Sequence, residues 1–122
     1  MTPLPPTSSG IEGILSLYKI KMNFQKRFPP DDDIWTWSNP LIAQQNATRF
    51  YGASAILYKS KVKGKKYAIR TPEGKLINFG ALNYEDYTKH KDPARRANFL
   101  ARTSRGQTKG YSANALSRNI LW

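Results

Sequence analysis

The chain has no cysteine and a single histidine. Without thiols there is no disulfide framework and no thiolate-held metal, and the composition fits a reducing compartment. Acid is also scarce: eight Asp/Glu stand against twenty Lys/Arg, a formal net charge of +12. No stretch approaches the roughly 20 apolar residues that span a bilayer, so no membrane span is expected. The opening segment MTPLPPTSSG has neither a charged n-region nor an apolar h-region, so a secretory signal is not expected. Asn46-Ala47-Thr48 then reads as a chance match to a glycosylation acceptor. Neither a Gly-rich nucleotide-binding loop nor a nucleophile elbow occurs in the sequence.

What is there suits one small domain with an arm. The 122 residues are 39% hydrophobic and 12% aromatic, enough for a modest core in a chain of this size. Charge is unevenly spread. Residues 59–122 hold fifteen Lys/Arg and four Asp/Glu, whereas residues 1–58 hold five and four. An excess of eleven positive charges in one half points to an acidic or polyanionic partner.

Residues 1–10, rich in Pro, Ser and Thr, read as an extended arm without means of packing itself. Ser9-Gly10-Ile11-Glu12 is a capping box, and Ile11, Ile14, Leu15, Tyr18 and Met22 follow at helical spacing. The spacing predicts a helix over 10–28, stopped by Pro29-Pro30. Asp31-Asp32-Asp33 reads as an acidic turn that pairs with the basic half. Trp35 and Trp37, at i and i+2, share one face of an expected extended segment and are candidate protein-contact residues. Asn39-Pro40 starts a second helix running to about residue 50, with Gly52 near its end.

Three short strands are then expected over 53–60, 65–71 and 75–80, with glycine-bearing turns at Val62-Lys63-Gly64-Lys65 and Pro72-Glu73-Gly74-Lys75. Ile56, Tyr58, Tyr67, Ile69 and Phe79 supply the alternation of a β-meander with one wet, basic face. Asp92-Pro93 caps a helix bearing Arg95, Arg96 and Arg102. Ser112 caps a last helix in which Ala113, Leu116 and Ile120 share a face, and Trp122 is expected to plug the core or a neighbour. The fold class is α+β: a small three-stranded antiparallel meander flanked by helices on both sides. In domain terms, 1–10 is the arm, 11–54 a helical segment with a Trp-bearing loop, and 55–122 the basic meander with its helices, packed with 11–54 as one unit.

Phe79-Gly80, the stretch from Tyr84 to Asp92, Arg95-Arg96, Phe99, Arg102 and the closing SRNILW together resemble a module of small basic proteins encoded by large DNA viruses of algae and protists, with looser relatives in tailed phages. The resemblance covers about residues 55–122. Members often carry His where this chain has Thr103, and Trp near Asn114. The family is mostly of unknown function, so the resemblance implies a viral setting: a particle component, made in the reducing interior of a host cell and located in the virion.

Asp86, His90 and Asp92 have a spacing that suits a metal-dependent nuclease, and the stretch resembles phospholipase-type motifs without their longer spacing. Structural roles fit these residues better, with Asp92 as a cap and Asp86 bridging to Lys or Arg. No enzymatic activity, cofactor or metal is expected. The basic candidates are Lys59, Lys61, Lys63, Lys65, Lys66, Arg70, Lys75, Arg95, Arg96, Arg102, Arg105, Lys109 and Arg118. They meet either acidic surfaces of capsid or other virion proteins in a large assembly, or packaged nucleic acid. The neutral half, the arm and Trp35, Trp37 and Trp122 favour the first: a minor capsid or cement-type protein.

Overall fold

A computed structural model describes residues 23–122. The chain divides into two compact units, 1–30 and 31–122. The division falls at Pro29-Pro30, inside the 11–54 segment expected to pack with the rest as one unit. In the first unit, residues 23–27 are helical, and Arg27 sits over the Phe24 and Phe28 rings. The arm, the capping box and the start of the expected first helix lie outside the described residues.

The second unit is α+β. Its sheet has the order β1 (Tyr58–Lys59), β2 (Lys65–Arg70), β3 (Leu76–Ala81), all antiparallel. Both turns use glycine at positive φ, 82° at Gly64 and 88° at Gly74, where a side chain would be strained. The expected first strand shrinks to two residues for a visible reason. The Gln44 amide donates to Ala55 O (2.7 Å) and accepts from Leu57 N–H (2.9 Å), so a side chain satisfies the backbone that a strand partner would have paired.

β2 is central and buried on both faces. Tyr67 and Ile69 lie opposite Phe79 and Ile77 on one face, and Ala68 lies opposite Asn78 on the other. Five helical elements surround the sheet: α1 (Ile34–Trp37), α2 (Pro40–Tyr51), α3 (Tyr87–His90), α4 (Pro93–Arg102) and α5 (Ala113–Leu116), the last followed by a π-helical turn, Ser117–Leu121. Helices lie on both sides of the sheet. Among the described residues no helix is long and apolar enough to cross a membrane.

The predicted caps at Asn39, Asp92 and Ser112 all form. Two local expectations fail. Trp35 and Trp37 lie in a single helical turn, begun where Asp32 Oδ1 accepts from Ile34 N–H (2.9 Å). At about 100° per residue the two rings therefore do not share a face. The last helix does not stay α-helical either. Trp122 N–H reaches Ser117 O, an i→i+5 bond. Leu116, Ile120 and Leu121 are buried, whereas Ala113, expected on the same face, is exposed. α5 and the π turn pack against β3, and α2 packs on the π turn, where Asn46 Nδ2 donates to Ile120 O (2.8 Å). Ile34, Leu57, Tyr67, Ile69, Phe79, Leu116 and Ile120 are fully buried, each such side chain contributing about 1.5–3 kcal/mol.

Candidate functional site

The candidate site is built where β2 starts, β3 ends and the following loop turns toward α4. Lys66, on the face of β2 opposite Tyr67, lies beside Gly80. Gly80 has φ +84, and an added Cβ would come within 2.8 Å of Leu121 Cδ1 and 3.2 Å of Lys66 Cβ. Only glycine leaves room for both neighbours. Lys66 is 2% exposed and donates from Nζ to Asp86 Oδ2 (3.1 Å), itself 1% exposed, and to Tyr84 O. Burial pushes the Lys66 ammonium below its ordinary pKa, with Asp86 opposing the shift. The expectation that Lys66 lies on the wet face is therefore corrected. The charge goes inward because Asp86 waits there.

Asp86 is the end of a buried chain of donors. Tyr67 Oη donates to Ser38 Oγ (2.7 Å). Ser38 Oγ lies 3.1 Å from Thr88 Oγ1, which donates to Asp86 Oδ1 and accepts from Asn39 N–H. Thr88 has one hydroxyl proton, so Ser38 is the donor to Thr88. Asp86 Oδ1 also takes the Thr88 N–H, capping α3. Burial raises the Tyr67 pKa, which keeps the phenol a donor. The network staples α1 and the start of α2 to the sheet and to α3.

A cleft of about 420 Å³ opens over Lys66 and Gly80. Phe99, Leu121 and Trp122 supply apolar wall, and Arg95, Arg102, Glu85 and Tyr84 line it as well. Phe99 stacks on Trp122 with centroids 4.3 Å apart and planes 7° apart. The Arg102 guanidinium lies over Phe99 at 5.7 Å. Arg95 is 3.5 Å from Glu85. Lys66 is balanced by Asp86 and Arg95 by Glu85, whereas Arg102 has no acidic partner among the described residues. Lys65 pairs across the sheet with Ala81, which lines the same cleft. The turn carrying Lys61, Lys63 and Lys65 therefore adjoins it, and those three lysines are exposed.

The remaining sequence candidates scatter. Lys59 is bound to both Asp32 oxygens (2.8 Å) and to Asp33 (3.3 Å). The bond to Asp32 raises its pKa, so it is a paired cation rather than a free one. The acidic turn thus meets the basic half as expected. Arg70, which donates to Gly74 O, and Lys75 sit at the far end of the hairpin, about 17 Å along the strand from Lys65, so the basic residues form no single track. Arg118 Nη1 is held by Leu100 O and Thr103 Oγ1, both at 2.6 Å. Arg96 Nε donates to Trp122 O beneath a ring contact with Tyr87. Arg105 and Lys109 are exposed in the loop after α4.

Trp35, Trp37 and Trp122 are half-buried, and Trp37 O accepts from Asp86 N–H. Trp122 stacks on Phe99 and lines the cleft, so of the three it is the one that stands at the candidate site. Among the described residues the exposed large apolar side chains are others: Tyr84 at 71%, Phe50 at 58%, and Leu41, Ile56, Tyr58, Val62 and Leu76. Val62 and Tyr84 flank the cationic turn and the cleft. Their only signal in the sequence is an apolar residue set among lysines or beside an acid.

The nuclease spacing does not assemble. His90 Nδ1 accepts from Asp92 N–H (2.9 Å), Asp92 caps α4, and Asp86 is bound as described. Among the described residues no group of three His, Asp or Glu side chains is placed to hold a metal ion. Neither the curated proteins nor the solved structures contain a match to the chain. Residues 55–103, which carry the meander, Lys66, Asp86, Thr88, Arg95 and Arg102, are similar to a family described as of unknown function (DUF5754).

Proposed function

We propose that the protein is a non-enzymatic structural component of a virus particle, of minor capsid or cement type, whose basic face docks an acidic, partly apolar surface of a coat protein. The observation that carries the docking is the mixed chemistry of the cleft and its rim. Arg95 and Arg102 stand among Phe99, Leu121, Trp122 and Tyr84, with Val62 exposed between Lys61 and Lys63. A phosphate track needs only cations, whereas arginines set among aromatic groups are what protein interfaces concentrate. The particle setting rests on the resemblance of residues 55–122.

Particles purified from cells making the tagged full chain test both halves of the reading. The wild type is expected in particles, and a Lys63→Glu/Arg102→Glu variant at about tenfold lower amount. Equal recovery of the variant overturns the docking face, and absence of the wild type overturns the setting.

A second reading, packaging of nucleic acid, is favoured by one observation. Lys61, Lys63, Lys65, Arg105 and Lys109 have no acidic partner among the described residues. It predicts binding to arbitrary duplex whose log K falls against log salt by about 0.9 per phosphate contacted. No shift of labelled duplex at low salt removes it.

A further inference from the structure

A second cavity, of about 410 Å³, lies between α2 and α4. Its chemistry differs from that of the docking cleft. Arg49, Arg96 and Arg118 line it, together with Asn119, and no carboxylate side chain does. Two of the arginines are pre-positioned. Arg118 is fixed through Nη1 to Leu100 O and Thr103 Oγ1. Arg96 is fixed through Nε to Trp122 O, with its guanidinium 5.5 Å from the Tyr87 ring centre. Both bonds leave further N–H donors without an acceptor among the described residues. Arg49, exposed in the last turn of α2, makes no ion pair there.

Three guanidinium groups around one cavity repel each other, and of the groups lining it only the Trp122 oxygen that accepts from Arg96 offers relief. Even if the Trp122 oxygen is counted as a full negative charge, two positive charges stay unbalanced. A group with several anionic oxygens relieves this, and planar forked donors suit phosphate geometry. The bland reading, cations that merely suit the end of a helix, accounts for Arg49 on α2. It does not account for Arg96 and Arg118 being tied by single nitrogens with their other donors left over.

We propose that the cavity between α2 and α4 is a phosphate-binding site, in which Arg49, Arg96 and Arg118 hold one phosphoryl group. The group comes from free inorganic phosphate or from a nucleic-acid backbone. The site uses none of the lysines or arginines of the docking face, so it stands or falls independently of that reading.

The test titrates the full chain with inorganic phosphate at constant ionic strength, and separately with a short single-stranded oligonucleotide lacking terminal phosphate. Thermal shift and calorimetry read the outcome for wild type and Arg49→Ala. Arg49 is exposed, so this variant keeps the fold. Millimolar phosphate is expected to raise the wild-type Tm by several degrees, and Arg49→Ala to weaken binding about tenfold. Phosphate binding alone assigns free phosphate as the source. Tighter oligonucleotide binding that Arg49→Ala weakens assigns the backbone. No binding in either arm, equal affinity in Arg49→Ala, or the same Tm shift with chloride overturns the proposal.

Discussion

Lys66 carries its charge into the interior with one carboxylate to answer it. Removing one partner of such a pair leaves the other buried and unpaired, so Lys66→Met is expected to cost about 3 kcal/mol. Lys66→Met/Asp86→Asn should cost clearly less than the sum of the two single changes. Urea denaturation of the four proteins of that cycle checks it. His90 gives a pH dependence with a definite sign. Burial, and then Arg95, hold its pKa below the ordinary 6.5. Its Nδ1 accepts from Asp92 N–H, and its Nε2 is buried without a partner among the described residues. As pH falls past 6.5 the unfolded chain takes up the proton before the folded one does. Stability is then lost down to the folded pKa, and the contribution is fully present above 6.5. Unfolding midpoints at pH 7.5 and pH 5 should differ in the wild type and differ less in His90→Gln. Asp32 acts in a separate, lower window. Burial raises its pKa, but the bonds from Lys59 and Ile34 N–H outweigh this, and the net value is lowered below 3.8. Its stabilising effect is lost only as pH falls below the ordinary carboxylate range.

α4 has no fully buried residue. Few tertiary contacts therefore pull it into shape, and its ends matter more than its face. Asp92 Oδ1 accepts from Ala94 N–H at 2.9 Å, so Asp92→Ala is expected to cost about 1 kcal/mol. Hydrogen exchange should quicken first in α4 and leave β2 protected. A uniform change across the chain would contradict that local reading. The caps that start α2, α4 and α5 were legible because Asn39-Pro40, Asp92-Pro93 and Ser112 act on backbone two or three residues away. The two β-turns were legible because Gly64 and Gly74 permit a conformation that other residues resist. The position of β1 was legible but its shortness was not, since the reason for it is Gln44, eleven residues before Ala55 and on another element. The π turn was not legible either. Leu116, Ile120 and Leu121 fit an ordinary α-helical stripe, so their spacing carries no sign of the i→i+5 bond from Trp122 N–H to Ser117 O.

With a net charge of +12, the whole molecule repels itself, and screening should relieve this. The Tm is expected to rise by a few degrees between about 20 and 300 mM salt, within one or two Debye lengths of most charge pairs. A fall in calorimetric Tm would mean that pairs such as Lys59–Asp32 outweigh the repulsion. The residues expected to form one basic face scatter: Lys59, Lys66 and Arg95 are paired with acids, Arg70 and Lys75 sit at the far end of the hairpin, Arg105 and Lys109 in the loop after α4, Arg96 and Arg118 at the α2–α4 cavity, and Lys61, Lys63, Lys65 and Arg102 at or beside the cleft over Lys66. Charge excess, the three-stranded meander and the helix starts follow from composition and from patterns within a few residues, because those effects are local or additive. Which cation is buried, which is bound and which is free depends on acids and carbonyls far away in sequence. Arg49 of the neutral half meets Arg96 and Arg118 of the basic half only because α2 packs on the π turn. Long-range pairing of that kind is set by burial and by hydrogen-bond satisfaction in three dimensions.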